Sequence, residues 1–282
     1  MPELPEVEAI VRGLREYLVG KKILAVEIFD KKRFIGETKK IVGQEISDIK
    51  RRAKVIIIML KNKINIVIHL KMTGQLIFRD AKHKIAGGHQ SKELNFDVPN
   101  NHTRIIFSVS GGGKLFYNDL IRYGYVKVLS NEDTEKITSK EFGPEPFSKD
   151  FSKEYFDSIL KGARTANIKK ILVDQKKIAG IGNIYSNESL YWGHINPKRK
   201  AISLSKKEQE NLYDGILKAL RLGIAHQGVS IRNYVDHKGQ KGRMQDYFVI
   251  YGKAGEKCEC GGLIKKIQLN GRGTYFCSAC QR

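Results

Sequence analysis

The sequence predicts an α+β protein of several domains. An N-terminal two-layer β-sandwich with flanking helices is followed by a helical domain and a small metal-bound ribbon. Three observations carry this prediction. β-Branched runs of strand length recur between residues 23 and 129, whereas apolar residues at helical spacing take over beyond residue 150. All four cysteines of the 282-residue chain lie at or beyond Cys258, the pattern of a metal site rather than of disulfides spread through a secreted fold. The length suits two domains and an appendage.

The first element follows from PELPEVE at residues 2–8. Proline at the first helical position and acids in the first turn start a helix well. Val7, Ile10, Val11, Leu14 and Leu18 then give it one apolar face, and Gly20 stops it. ILAVEIF, VIIIML, INIVIHL, RIIFSV and YVKVL read as strands, with GGGK at 111–114 as a hairpin loop. Residues 80–103 are polar and without pattern, predicting a long surface loop. The first domain thus covers 1–130, and the polar stretch 131–150 with its two prolines reads as a linker. From 151 to 246 the pattern is helical, including an S-x-x-E capping box at Ser205 and Glu208. It ends in a Gly-, Lys- and Gln-rich loop over 227–246, and 247–282 is the cysteine ribbon.

Lys and Arg number 51 against 30 Asp and Glu, a formal net charge of +21. Such an excess repels itself unless it meets an anionic partner, usually a phosphate backbone. No stretch approaches the ~20 apolar residues of a membrane span. The acidic start lacks the basic region of a signal peptide, so the expectation is a cytoplasmic protein that binds nucleic acid and no membrane.

Chemistry concentrates in a few places. Cys258-x-Cys260 and Cys277-x-x-Cys280, separated by 16 residues, have the spacing of a structural zinc ribbon, although the first pair is one residue shorter than usual. Between them Arg272 sits at a Gly-flanked turn, suited to phosphate or simply solvated. AGIGNIY at 179–185 follows a helix, not a strand, which rejects a dinucleotide fingerprint. It reads as a helix–turn–helix connection with amides facing phosphate, or as an ordinary helix hairpin. HLKMTG at 69–74 holds His69, most often structural, and Met72, a gap-filler in a core but a wedge between bases when exposed. Lys54 in KRRAK is by itself a surface cation. Removal of Met1 exposes Pro2 as a secondary amine with a pKa near 8, against about 10.4 for lysine. Its attack on a sugar C1′ gives an iminium with no N–H to lose, hence a lasting electron sink. Glu3 is placed to donate a proton and Glu6 to shuttle one or orient the site. The other reading of the same residues is a helix cap.

Taken together, PELPEVE, RRAK, HLKMTG, FGPEP, GIGNIYSNE, IYG and GRGTYFC-x-x-C resemble, end to end and in order, bacterial formamidopyrimidine-DNA glycosylases. Leu4 matches the purine-lesion branch rather than the PEGPE opening of the endonuclease VIII branch. The resemblance implies a β-sandwich, a helix-two-turn-helix domain and a zinc finger, with duplex DNA held in a cleft. It implies a monomer with one structural zinc on Cys258, Cys260, Cys277 and Cys280. The implied reaction removes oxidised purines from flipped-out nucleotides and then nicks by β,δ-elimination. Pro2 is then the Schiff-base nucleophile, Glu3 the proton donor, Lys54 the β-elimination and phosphate lysine, and Arg272 the δ-elimination and phosphate arginine. His69, His102, Arg164 and Asn183 fall at DNA-contact positions, and Ser230 and Arg232 lie in the loop that caps the flipped base. Met72 matches the first insertion residue, but the usual R-[RK]-F-G is Ile121-Arg122-Tyr123-Gly124. Tyr123 can still wedge by stacking. Ile121 cannot donate hydrogen bonds to an orphaned cytosine, which predicts weaker preference for C over A. The competing functions are a non-catalytic lesion-binding protein of the same fold and a zinc-ribbon RNA-binding protein. A pure binder has no need of Pro2 and Glu3.

Overall fold

The structure, a computed structural model, describes residues 1–88, 97–228 and 243–282. It divides into two compact units, Met1–Ser139 with His226–Gln245, and Lys140–Ala225 with Asp246–Arg282.

The first unit begins with α1 (Leu4–Leu18). Ten strands follow: β1 (Ile23–Ile28), β2 (Phe34–Ile35), β3 (Ile46–Arg52), β4 (Val55–Leu60), β5 (Ile64–His69), β6 (Gly74–Arg79), β7 (Lys84–Gly88), β8 (Thr103–Val109), β9 (Gly113–Asp119) and β10 (Tyr125–Ser130). They form two five-stranded sheets, ordered β1-β8-β9-β6-β7 and β2-β10-β5-β4-β3. Every pairing is antiparallel except the short one between β2 and β10. The continuous apolar run of β4 follows from its place inside a sheet, where Ile56, Ile58 and Leu60 join one core with Ile105, Phe107 and Tyr117 of the other layer. Helix α1 packs its apolar face on β3 and β7. Val7, Ile10, Val11, Leu14 and Leu18 are all buried there, each contributing about 1.5–3 kcal/mol.

Two predicted loops contain structure. Within 80–103, β7 pairs with β6 in register Phe78↔Ile85. Its buried residues are Ile85, Ala86 and Gly87, too short an apolar signal to read beside lysine and glycine. The predicted linker 131–150 opens with α2 (Asn131–Glu141), which has no apolar stripe. It is started by the Ser130 hydroxyl, which accepts the Asp133 N–H at 3.0 Å, and carries Glu132 and Asp133 in its first turn.

The second unit contains α3 (Lys153–Gly162), α4 (Ile168–Leu172), α5 (Asn183–Trp192), α6 (Lys206–Ala225) and a two-stranded ribbon, β11 (Ile264–Leu269) with β12 (Arg272–Cys277). The capping box of α6 forms as predicted: Glu208 accepts the Ser205 N–H at 2.7 Å and Ser205 the Glu208 N–H at 3.3 Å. The ribbon clusters with the helices rather than standing apart. Buried Glu188 on α5 accepts the backbone N–H groups of Val249, Ile250 and Tyr251 at 3.2, 3.1 and 2.9 Å. Burial pushes the Glu188 carboxyl above its ordinary range, against those three donors. No helix among the described residues is long and apolar enough to cross a membrane.

Candidate functional site

In the first unit the start of α1 is folded inward. Pro2 is buried and Glu3 is only 3% exposed. The Glu6 carboxylate accepts the Glu3 N–H at 2.9 Å while the Glu3 side chain accepts the N–H of Glu6, a reciprocal capping box. The acid-rich start is therefore a true cap, yet its carboxylates also act on the Met1 amine. Burial lowers the Met1 amine below its ordinary 8.0; Glu3 and Glu6 pull it up, and Lys54 adds to the lowering. More of it is consequently the free base at neutral pH.

Lys54 is 4% exposed, a buried cation rather than the surface one its sequence context suggests. It follows Ala53, which takes a left-handed φ of 55° at the β3–β4 turn. Arg51 fixes that turn by donating to the Ala53 carbonyl at 3.2 Å and to Glu8 on α1 at 3.0 Å. His69 pairs with Val55 across the sheet and is buried. Its Nδ1 accepts the Lys71 N–H at 3.0 Å, leaving the proton of the neutral ring on Nε2. Burial, then Lys71 and Lys54, push its pKa down to about 3, so it stays neutral through the physiological range.

Two loops of the same unit expose apolar side chains. Met72, between β5 and β6, is 50% exposed; Ile121 and Tyr123, between β9 and β10, are 43% and 65% exposed. Arg122 between them is also exposed and takes a left-handed φ of 58°. His102 is half-buried, its carbonyl accepting the Asp119 N–H at 2.9 Å. Ser230 and Arg232 lie outside the described residues. At the described flank of their loop, Gly228 has φ +73°, and a Cβ there would stand 2.8 Å from the Glu6 carboxylate. The signal for Gly228 was its place just beyond the end of α6; nothing in the sequence pointed to its neighbour.

In the second unit Asn183 starts α5 and donates to the Gly273 carbonyl at 3.1 Å, directly after Arg272. Arg272 is exposed at the head of β12, beside a groove also lined by Lys169, Lys170 and Asn270. Arg164 is exposed beyond α3, its carbonyl accepting the Ile202 N–H. Sequence reasoning missed Lys169, one of many lysines but only 1% exposed. Its ammonium donates to Thr274 at 2.7 Å and to Asn187 and Gly273 at 3.3 Å.

The four thiols of Cys258, Cys260, Cys277 and Cys280 lie within 4.8 Å of one another. A tetrahedron with Zn–S bonds of about 2.3 Å has edges of about 3.8 Å. The Cys258–Cys280 and Cys260–Cys277 sulfurs are 3.8 and 3.6 Å apart, so the donor set and its size fit zinc. The shortened first pair is accommodated because the Cys258 N–H reaches the Gly262 carbonyl at 2.7 Å, closing the knuckle beyond Cys260.

Family models match along the chain: "Formamidopyrimidine-DNA glycosylase N-terminal domain" over residues 1–126, "Formamidopyrimidine-DNA glycosylase H2TH domain" over 142–235 and "Zinc finger found in FPG and IleRS" over 255–282. A formamidopyrimidine-DNA glycosylase of Desulforamulus reducens is 36% identical over 291 residues, covering 100% of this chain and 99% of that protein. One from Carboxydothermus hydrogenoformans is 38% identical over 288 residues, covering 100% of both. Among solved structures, the Lactococcus lactis Fpg bound to abasic-site DNA superposes with a TM-score of 0.86, at 31% identity and 99% coverage of each chain. A mutant of the same enzyme with Fapy-dG-containing DNA gives 0.87, at 32% identity and 100% coverage of each.

Proposed function

The chain belongs to the formamidopyrimidine-DNA glycosylase family and is a DNA repair glycosylase; from that premise we propose that it excises oxidised purines through Pro2 and then cleaves the strand as an AP lyase. The relatives bound to abasic-site and Fapy-dG DNA support duplex DNA carrying such lesions as the partner of this chain, which acts as a monomer. The observation that carries the reading is the placing of Pro2, Glu3 and Lys54, all buried in the first unit, with Glu3, Glu6 and Lys54 each acting on the charge of the Met1 amine that precedes Pro2.

With Met1 removed, the Pro2 nitrogen attacks C1′ of the flipped-out nucleotide, and the glycosidic bond breaks as its electron pair leaves with the base, which takes up the proton that the nitrogen sheds. Glu3 supplies the proton that opens the sugar ring in step with base loss, so O4′ leaves as a hydroxyl and the C1′=N⁺ iminium forms. Loss of a C2′ proton sends electrons into that iminium and expels the 3′-phosphate. A further elimination expels the 5′-phosphate. Lys54 and Arg272 are assigned to the two phosphates. Neutral His69, with its proton on Nε2, is assigned to a DNA contact as a donor. His102, Arg164 and Asn183 are assigned the remaining contacts, with Ser230 and Arg232 over the extruded base. Glu6 holds the Glu3 backbone and so orients the acid. Zinc supplies no step; Cys258, Cys260, Cys277 and Cys280 would hold it, and it would keep the Arg272 ribbon folded.

Borohydride trapping on a duplex containing 8-oxoguanine tests the reading: the processed protein is expected to form a covalent adduct. Lesion binding without an adduct favours the non-catalytic alternative and ends this one. The trapping rate is expected to rise with pH as the amine loses its proton. The burial and the Lys54 charge that lower the Met1 amine are expected to act on the Pro2 nitrogen in the processed protein, so the midpoint should fall below the α-amino value of about 8; a midpoint above it contradicts the assignment.

Ile121 also makes a specificity prediction. A bidentate arginine contact to a base is worth about 1–3 kcal/mol, or roughly 5- to 150-fold. Ile121→Arg is therefore expected to raise the preference for 8-oxoguanine opposite C over A by about that factor, measured as a ratio of kcat/KM values. Strong C-selectivity in the unaltered chain rejects the idea.

A further inference from the structure

The two loops that carry Met72 and Tyr123 are joined by one buried carboxylate. Asp119 ends β9 with no exposed surface, and Thr73, directly after Met72, is 8% exposed. The Thr73 hydroxyl donates to one Asp119 carboxylate oxygen and accepts the Ile121 N–H at 3.0 Å. The other carboxylate oxygen accepts the Gly124 N–H at 2.8 Å and the Tyr117 hydroxyl at 3.2 Å. The Asp119 backbone is held as well: its N–H donates to the His102 carbonyl at 2.9 Å, and Arg104 Nε donates to its carbonyl at 2.9 Å. Burial, with Asp119 beside it, pushes the Tyr117 hydroxyl pKa upward, so this ring stays a neutral donor.

Each bond has a place in the geometry. The Ile121–Thr73–Asp119 chain fixes the backbone of one loop to the side chain next to Met72 in the other. The Gly124 bond closes the far end of the second loop. No side chain fits at Gly124, because a Cβ would stand 2.0 Å from the Tyr117 hydroxyl and 2.7 Å from the His69 carbonyl. Ile121, Arg122 and Tyr123 are thus held between two anchors on one carboxylate, with their side chains outward.

We propose that Asp119 and Thr73 are positioning residues that lock the Met72 and Tyr123 loops into one preformed wedge for the DNA base stack. The proposal rests on the glycosylase reading above and specifies how its insertion step is driven. Prising open a base step costs energy. Loops that yield when pushed would spend their contacts on deforming themselves, whereas anchored loops transmit them to the stack. Both carboxylate oxygens and the Thr73 hydroxyl have partners within the protein, so neither residue needs to touch DNA.

The test compares Thr73→Val, Thr73→Ser and Asp119→Asn in single-turnover base release. One duplex carries 8-oxoguanine paired with cytosine; the other carries it opposite a one-nucleotide gap, where the stack is already open. Valine keeps the shape of threonine but strands the Ile121 N–H and an Asp119 oxygen, a change worth roughly 5- to 150-fold for buried groups. Thr73→Val is expected to slow release from the paired duplex by that factor and to stay within about threefold of the unaltered chain on the gapped one. Thr73→Ser restores the hydroxyl and the paired-duplex rate. Asp119→Asn replaces one acceptor oxygen by an NH2 donor that faces either the Thr73 hydroxyl or the Gly124 and Tyr117 donors, and loses at least as much as Thr73→Val. A 2-aminopurine opposite the lesion should lose its fast fluorescence rise in Thr73→Val and Asp119→Asn but keep it in Thr73→Ser. Equal losses on both duplexes, or no loss in Thr73→Val, overturn the proposal. Failure of the unaltered chain to release base from either duplex instead overturns the glycosylase reading beneath it.

Discussion

Glu3→Gln is expected to slow base release about 100- to 10,000-fold, the usual span for loss of a general acid, while strand cleavage at a preformed abasic site falls far less. Glutamine preserves the size of the side chain and keeps an oxygen to accept the Glu6 N–H, so the cap on α1 survives. What it loses is the proton. At an abasic site the base has already left and the sugar opens without enzymatic acid, so the Pro2 amine still has an aldehyde to attack. Parallel time courses on 8-oxoguanine and abasic duplexes separate the two steps. Equal losses on both substrates would assign Glu3 to holding Pro2 rather than to proton transfer.

Loss of zinc is expected to have the other large effect. The apolar cluster around the ribbon amounts to Tyr191, Ile250, Cys258, Ile264 and Cys277, with a few half-buried neighbours. So small a core does not fold the segment unaided, whereas structural zinc contributes about 10–16 kcal/mol at neutral pH in isolated fingers. Chelation, or Cys277→Ser, should therefore unfold β11 and β12 and weaken DNA binding and nicking at least about tenfold as Arg272 is lost from the phosphate. The helices should persist, since Phe156, Leu160, Leu212 and Ile216 lie away from the ribbon in sequence and are buried. Circular dichroism and gel-shift titration of the chelated protein check both statements. A chelated protein that still protects the Arg272 amide from exchange contradicts them.

Much of the molecule was legible because local signals agreed. The β-branched runs became β1, β4, β5, β8 and β10; the apolar stripe after Pro5 became α1; the Ser205 capping box formed; and the four cysteines came together. Elements without an apolar period were not legible. β7 is a strand because β6 offers it a ladder and α1 packs against its Ile85 and Gly87, neither of which shows in residues 84–88. α2 is a helix by virtue of its cap and first-turn acids.

By itself the sequence determined the chemistry available: a proline that can become a terminal amine, two acids beside it, a cysteine set sized for zinc, and an excess of cations for phosphate. Residue identity fixes those properties wherever the chain goes. Only the tertiary structure decided what each group meets. It buried Pro2, Glu3 and Lys54, silenced His69 as a base, and made Asp119 the joint between two loops that lie far apart in the chain. Burial and long-range hydrogen bonds set these properties, and both depend on which strands become neighbours, which no local pattern encodes.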